Sequence, residues 1–333
     1  MPLERARRSV ARLRALARGE APASPAPPLR LEPGLARELF ESQLLCRLVD
    51  VEAHELRARG QGFYTICSAG HEGNVALGRL TRPSDPALLH YRSGALFLER
   101  ARQDPAVDGA FELLLSLAAS ADDPIAGGRH KVFGSIPLGI PPQTSTIASH
   151  LPKAVGLAIA LERGARLGRA AADAADAIVV CSFGDASLNH STAQGALNAA
   201  SWAAFQRLPV PVLFVCEDNG LGVSVRTPEG WVEARMRAMP GVEYVFGDGR
   251  DLSDAFAATA RAVELCRAGR RPVFLHLACE RVWGHAGSDL DAEYRGAGEV
   301  ALAEARDPVM LSAQGLLGAG ALTPGGLLEA VDR

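Results

Sequence analysis

Lysine is almost absent from this chain: Lys131 and Lys153 are its only lysines, and arginine supplies nearly all the positive charge. The formal net charge is −3, so the chain lacks the excess of basic residues with which proteins bind nucleic acid. No apolar run approaches the roughly 20 residues that span a bilayer, which argues against a membrane role. With 333 residues, 48% of them hydrophobic, the chain is long enough to bury a large core.

Paired cysteines are also missing. The six cysteines are scattered and include no C-x-x-C pair, which argues against zinc sites and a disulfide framework. Cys181 and Cys216 lie inside apolar runs, as is typical of small buried thiols in a reducing compartment. We therefore expect a cytoplasmic protein.

Two nucleotide-binding motifs are absent as well. No G-x-G-x-x-G follows any predicted strand, which argues against a nicotinamide-dependent oxidoreductase, and no G-x-x-x-x-G-K-[ST] occurs, which argues against a P-loop NTPase.

The composition divides the chain at about residue 33. The stretch from Arg5 to Arg18 is rich in arginine and alanine and is compatible with a short amphipathic helix, and the Pro-rich stretch 21–33 is typical of a linker. A transit peptide and a partner-docking arm are both open interpretations of residues 1–33. We expect one globular domain over residues 34–333.

Within that domain, continuous apolar runs alternate with helical periodicity. Strands are predicted at residues 177–183, 210–216 and 272–279, and helices at 35–56, 73–80, 94–102, 111–119, 152–167, 191–206, 254–268 and 324–333. This alternation predicts an α/β fold, a parallel sheet with helices on both faces. The Gly- and Pro-rich loop 127–142 is longer than an ordinary connection, so we expect it to be functional or disordered.

Polar residues follow two of the apolar runs. Gly184-Asp185 ends the first, and Asp218-Asn219-Gly220 ends the second, 219 − 185 = 34 residues later. Ligands of open parallel sheets bind at the carboxyl ends of the strands, and neighbouring strands lie ~4.8 Å apart. Carboxylate, amide and carbonyl oxygens are the ligands that Mg²⁺ prefers. The spacing therefore allows one magnesium ion to be held between the two strand ends.

This pair of segments resembles the thiamine diphosphate motif, in which Gly-Asp-Gly leads to Asn-Asn. The resemblance implies that Asp185, Asn219 and the main-chain oxygen of Leu221 hold the metal. It also implies cofactor contacts from the residues around Asp185, namely Gly184, Ala186 and Ser187.

The sequence departs from that motif at two positions. Ala186 replaces the second glycine and is tolerable if its φ is negative. Asp218 replaces the first asparagine and adds a negative charge near the diphosphate, which weakens binding unless the carboxylate faces an arginine. Gly247-Asp248-Gly249 matches the short motif better, but no Asn pair follows it at the needed distance, and we interpret it as a turn.

Further segments match, in order, the alpha subunits of thiamine-diphosphate-dependent 2-oxo acid dehydrogenases, most closely those for branched-chain 2-oxo acids and pyruvate. They are Gly62-Phe63-Tyr64 with Ser68–Gly73, His90-Tyr91-Arg92, Thr144–Ser149 with Leu151–Gly156, and Trp283–Asp289 with Tyr294-Arg295. The resemblance implies the thiamin diphosphate-binding (Rossmann-like) fold. It also implies that Tyr91 and Arg92 form a cofactor-binding pair whose arginine holds the diphosphate. Ser145 and the backbone of Ile147 would lie beside the aminopyrimidine, and His285 would be the active-site histidine and contact the diphosphate.

The remaining histidines carry weaker implications. His71-Glu72 and His130 are interpreted as helix-start or loop polar groups, and His150 is assigned no role. His190 is interpreted as either a substitute polar group of the site or a surface residue.

The resemblance implies an enzyme that decarboxylates a 2-oxo acid oxidatively and transfers the acyl group to the lipoyl domain of an acyltransferase. A beta subunit or a fused transketolase-like domain would supply an essential glutamate, and a heterotetramer is expected. Phe63-Tyr64 favours branched-chain substrates weakly. Two alternatives stay open: an acetoin dehydrogenase or transketolase-like subunit, and a non-catalytic scaffold subunit.

Overall fold

The structure is a computed structural model that describes residues 2–20, 26–63, 66–129, 132–169 and 174–333. Helices α1 to α12 span Pro2–Ala17, Pro33–Ala58, Val75–Leu80, Gly94–Ala101, Gly109–Leu117, Leu151–Arg166, Ser191–Phe205, Trp231–Arg237, Leu252–Gly269, Ala297–Ala305, Pro308–Gly318 and Pro324–Asp332. Strands β1 to β9 span Ala87–Leu88, Phe133–Ser135, Ile140–Gln143, Val179–Gly184, Val212–Asp218, Leu221–Gly222, Val225–Arg226, Glu243–Asp248 and Val273–Ala278. Within the described ranges, no helix combines the length and apolarity that a membrane crossing requires.

Several helices begin where the sequence supplies a side-chain acceptor for free backbone N–H groups. Glu32 precedes Pro33 and accepts from the first turn of α2, and Asp307 precedes Pro308 and accepts from Val309 N of α11. Asp251 caps α9 in the same way. Because proline lacks the N–H that a first helical position leaves unpaired, such acid–proline pairs fix these helix starts.

The central sheet has five parallel strands in the order β1-β4-β5-β9-β8. The register sets Gly184 of β4 opposite Glu217 of β5, and Asp218 of β5 opposite Ala278 of β9. The two strands whose ends carry the motif residues are therefore neighbours, as the magnesium hypothesis requires.

Helices cover both faces of the sheet. In β5, Leu213 and Val215 pack into the core shared with α2, α4 and α9, whereas Val212 and Phe214 pack into the core shared with α6 and α7. Side chains alternate between the faces of a strand, so two covered faces need a continuous apolar run. The predicted α/β class is confirmed.

Two strands of the sheet, β1 and β8, were not predicted from the sequence. β1 has only two residues, too few to form a recognisable run. β8 lies at the sheet edge, and its side chains alternate between buried Val245 and exposed Phe246. The interpretation of Gly247-Asp248-Gly249 as a turn is wrong for its first two residues, which end β8.

The long loop is more ordered than expected. Its second part forms the antiparallel pair β2–β3, in which Phe133 lies opposite Gln143 and Ser135 opposite Ile140. Leu138, between the strands, is fully buried. Disorder, one of the two expectations for this loop, is therefore wrong for the hairpin Phe133–Gln143. His130 and Lys131 lie outside the described residues.

A third layer consists of α1, α2, α11 and α12. Val10 and Leu13 of α1 pack in one cluster with Phe40 of α2, Leu316 of α11 and Leu327 of α12. The amphipathic helix predicted in the Arg-rich stretch is therefore present, and its apolar face is buried within the fold. Residues 21–25 of the predicted linker lie outside the described residues.

Candidate functional site

A cavity of about 560 Å³ opens at the carboxyl ends of β4 and β5. Its lining includes every site residue named from the sequence: Tyr91, Arg92, Ser145, Ile147, Gly184, Asp185, Ala186, Ser187, Asn219, Leu221 and His285. These residues come from loops far apart in the chain, so the fold brings the matched segments to one place. Their individual roles stay predictions.

Asp185 lies at the floor of this cavity and is almost fully buried. Its carboxylate accepts a hydrogen bond from the Thr227 hydroxyl. Burial, followed by the charge of Asp218, raises the pKa of Asp185 to about 6. A hydroxyl donor is neutral and does not balance the negative charge of the ionised carboxylate. A cation in the cavity would therefore stabilise the ionised form of Asp185.

Asn219 stands at the start of a tight turn beside Asp185. Its Oδ1 accepts from Leu221 N at 3.1 Å, and its Nδ2 lies 3.0 Å from His71 Nε2. Gly220 supplies the positive φ of 72° that the turn needs. The turn therefore sets the amide of Asn219 and the backbone of Leu221 against the same cavity.

Ala186 fits without backbone strain. It is not among the described residues with positive φ, so the condition for replacing glycine here is met. A Cβ built on Gly222 would lie only 2.5 Å from the Ala186 Cβ, so Gly222 leaves the space that the alanine methyl occupies. The two positions compensate each other.

Asp218 faces a histidine, not an arginine. Its Oδ2 lies 2.9 Å from His276 Nε2, and its Oδ1 accepts from Gly220 N at 2.9 Å. The Tyr244 hydroxyl lies 2.8 Å from the other ring nitrogen of His276. The carboxylate is thus hydrogen-bonded on both oxygens, which holds it against β9.

Arg92 and His285 approach each other across the cavity wall. The buried Arg92 Nη2 donates to the His285 carbonyl at 2.8 Å and lies 3.1 Å from His285 Nδ1, while Nη1 donates to the carbonyl of Cys67. Because a guanidinium can only donate, His285 Nδ1 accepts and Nε2 carries the ring proton. Burial, followed by the charges of Arg92 and Arg281, lowers the pKa of His285 to about 4, so the ring is neutral.

The aminopyrimidine side of the predicted site is open. Ser145 is exposed, and Ile147 is 44% exposed at the rim of the cavity. His190, whose role was undecided, also lines the cavity and caps α7, because its Nδ1 accepts from Thr192 N at 3.2 Å.

Sequence analysis missed three residues that support the site: His71, Glu217 and Thr227. His71 directly precedes the short 3₁₀ helix Glu72–Asn74, as expected of a helix-start residue, but its full burial beside Asn219 was not predicted. Gly70 and Gly73, on either side of His71 in the sequence, could have indicated that this segment is tightly packed. A Cβ on Gly70 would lie 1.8 Å from the Glu280 carbonyl, and one on Gly73 would lie 2.1 Å from that of Gly249.

The residues present suit a divalent cation with a diphosphate. The donor set is hard: a buried carboxylate of raised pKa, an amide oxygen and a backbone carbonyl. A buried arginine and a neutral imidazole on the same cavity supply donors for phosphate oxygens.

The family profile of the dehydrogenase E1 component matches residues 41–325. The chain belongs to this family. Three relatives are alpha subunits of 2-oxoisovalerate dehydrogenase: from Bacillus subtilis (29% identical, 83% of this chain and 79% of that one), Arabidopsis thaliana (27%, 80% and 53%) and Mus musculus (26%, 85% and 61%). The resemblance stated from the sequence motifs is confirmed. This E1 chain thus spans little more than half of the plant and mouse relatives.

A solved transketolase variant of Pichia stipitis, in complex with xylulose 5-phosphate, matches with a TM-score of 0.53 and 15% identity. The match covers 74% of this chain and 36% of that one. At this level of identity the likeness shows the fold alone, and it agrees with the predicted thiamin diphosphate-binding fold.

Proposed function

We propose that this E1 chain is the alpha subunit of a 2-oxo acid dehydrogenase and holds thiamine diphosphate through Mg²⁺. The observation that carries the proposal is the placement of Asp185 and Asn219 directly after two adjacent parallel strands, on one cavity that Arg92 and His285 also line. Relatives named for 2-oxoisovalerate favour a branched-chain 2-oxo acid as substrate.

In this proposal Asp185, the Asn219 amide oxygen and the Leu221 carbonyl hold the cation. Arg92 and the Nε2–H of His285 donate to the diphosphate, and Gly184, Ala186 and Ser187 line its path. When bound, thiamine diphosphate supplies a thiazolium carbon that acts as an electron sink in the decarboxylation of a 2-oxo acid. The chain's own task is to bind and orient that group.

We propose that a beta subunit, or a fused second domain, closes the open side of the cavity at Ser145 and Ile147 and supplies the activating glutamate. His285 is also proposed to carry a proton while the acyl group passes to a lipoyl carrier. The expected assembly is a heterotetramer in the cytoplasm that acts with a lipoyl-bearing acyltransferase.

Calorimetric titration of the chain with thiamine diphosphate and Mg²⁺, with and without a beta partner, tests the proposal. Saturable binding that disappears on chelation of the metal supports it, and no binding under either condition refutes it in favour of a scaffold subunit. The fit of Ala186 against Gly222 favours the enzyme over the scaffold. Asp218 faces His276 and not an arginine, so the condition for that departure is not met, and this position still favours the scaffold.

A lipoyl-domain acylation assay with the partner present separates the remaining alternative. Acylation from a 2-oxo acid supports the dehydrogenase, whereas activity with acetoin or with a sugar phosphate, and none with 2-oxo acids, indicates an acetoin dehydrogenase or a transketolase-like subunit.

A further inference from the structure

A chain of three side chains, the first two of them fully buried, leads from β5 to the proposed cation site. Glu217 Oε2 lies 2.7 Å from His71 Nδ1, and His71 Nε2 lies 3.0 Å from Asn219 Nδ2. The Glu217 and His71 side chains have no exposed surface. Asn74 Nδ2 also donates to Glu217 Oε2, at 3.2 Å, so the carboxylate is held from a second direction.

The hydrogen-bond partners decide which amide atom of Asn219 is which. The backbone N–H of Leu221 can only donate, so the atom that it meets at 3.1 Å is the amide oxygen. The amide nitrogen then donates to His71 Nε2, which must be unprotonated, and Nδ1 carries the ring proton to Glu217. Burial lowers the pKa of His71, in keeping with a neutral ring.

The segment that carries His71 has little freedom to move. Neither Gly70 nor Gly73 has space for a Cβ against the backbone of Glu280 or of Gly249. The intervening Glu72 accepts from Gly70 N at 2.7 Å and forms a buried ion pair with Arg47, also at 2.7 Å. The imidazole is therefore held at a fixed place beside the amide.

We propose that His71, oriented by Glu217, is a positioning residue that fixes the amide of Asn219 with its oxygen towards the cation. This inference rests on the proposed function, because it needs Asn219 as a metal ligand. An amide rotated by half a turn would present its N–H groups, which repel a cation. Partners that orient a metal ligand typically change metal affinity or activity by about 10- to 100-fold when removed.

The test compares His71→Leu with His71→Gln in the complex with the beta partner. Glutamine can accept from the Asn219 amide and donate to Glu217, whereas leucine can do neither. We expect Mg²⁺-dependent binding of thiamine diphosphate, measured by calorimetry, to weaken about 10- to 100-fold in the leucine variant. In the glutamine variant it should stay within about threefold of wild type. His54→Gln is the matched control, since His54 is a buried histidine that contacts Cys67 and Trp283, away from this cavity.

Two results would overturn the inference: unchanged affinity in the leucine variant, or equal losses in both variants, which would mean that His71 only fills space. If the leucine variant does not fold, Glu217→Gln replaces it in the test. We expect the affinity for thiamine diphosphate to fall about 3- to 10-fold in this variant, because a neutral acceptor holds the imidazole less firmly than a carboxylate. An unchanged affinity would refute the proposal. Absence of binding in the wild-type complex would refute the proposed function instead.

Discussion

The carboxyl ends of the sheet strands and the helical layer of α1, α2, α11 and α12 are built on opposite principles. At the sheet edge, Asp185, Glu217 and Asp218 are carboxyl groups within a few residues of the strand ends, held by neutral donors and histidines. In the helical layer, apolar side chains such as Leu13 and Leu316 fill the core, and surface arginines such as Arg14 pair with acids at the rim.

The two regions therefore contribute differently to the stability of the fold and to cofactor binding. Buried charge at the sheet edge opposes folding unless a ligand neutralises it, whereas apolar burial in the helical layer favours folding and has no part in the cavity. Variants at the edge should therefore change cofactor binding more than stability, and variants of the helical layer should do the reverse.

The largest effect is expected for Asp185→Asn. Loss of the carboxylate should weaken Mg²⁺-dependent thiamine diphosphate binding at least about 100-fold. The same change should stabilise the free protein by about 1–3 kcal/mol at pH 8. The reason is that the pKa of Asp185 is raised to about 6, so its contribution to stability is present at low pH and is lost as the pH rises through about 6.

Calorimetry and urea unfolding at pH 5 and pH 8 check both halves of this prediction. The stability gain should shrink at pH 5, where the carboxyl is largely protonated. A variant that binds normally, or that is destabilised at pH 8, would contradict the contrast between the two regions.

In the helical layer, Leu13→Ala should destabilise the protein by about 2–4 kcal/mol, because Leu13 is fully buried among α1, α2 and α12. Cofactor affinity of the folded protein should stay within about twofold of wild type. Leu16→Ala, at a half-buried position of the same helix, is the control and should cost about 1 kcal/mol. If Leu13→Ala lost more free energy of cofactor binding than free energy of unfolding, the distinction between the helical layer and the sheet edge would be contradicted.

A smaller effect, about 1–3 kcal/mol of destabilisation, is expected for Gly222→Ala, since its new methyl would lie 2.5 Å from the Ala186 Cβ. Ala186→Gly should restore most of that loss in the double variant and cost less than about 1 kcal/mol alone. Urea unfolding of all four proteins forms a double-mutant cycle. Additive losses would show that the two positions do not compensate each other.

The smallest effect concerns acid stability. The pKa values of His285, at the sheet edge, and His54, in α2, are both lowered to about 4, chiefly by burial. A histidine with a lowered pKa contributes stability above about pH 6.5 that is lost as the pH falls towards 4. The wild-type protein should therefore lose stability between pH 6.5 and pH 4. Replacing either histidine by glutamine should make that loss smaller by about 1 kcal/mol, as measured by urea unfolding, a figure that allows for solvent screening at the half-buried His285. Unchanged pH dependence in both variants would contradict this assignment.

Much of the sheet edge could be predicted from the sequence, because its parts are local. The buried strands β4, β5 and β9 are continuous apolar runs, and Asp185 and Asn219 follow two of them directly. Adjacent parallel strands place such residues together whatever happens elsewhere in the chain.

What the sequence did not reveal depends on contacts between distant segments. His71 meets Asn219 across 148 positions, and His276 meets Asp218 across 58, so no local pattern marks either pair. The packing of α1 is similar: its arginine-rich composition predicts an amphipathic helix but does not indicate its partner, and Arg5 pairs with Asp291 across 286 positions. Charge pairing and burial over such separations become visible only once the fold is known.

Anomalous diffraction from crystals grown with Mn²⁺ and thiamine diphosphate tests the central claim most directly. We expect a single strong metal peak about 2.1–2.3 Å from a carboxylate oxygen of Asp185, the amide oxygen of Asn219 and the carbonyl of Leu221, with diphosphate oxygens completing the shell. A metal peak instead among His71, Glu217 and Cys279, whose ligand atoms lie within 4.8 Å of one another, with none at Asp185, would contradict it.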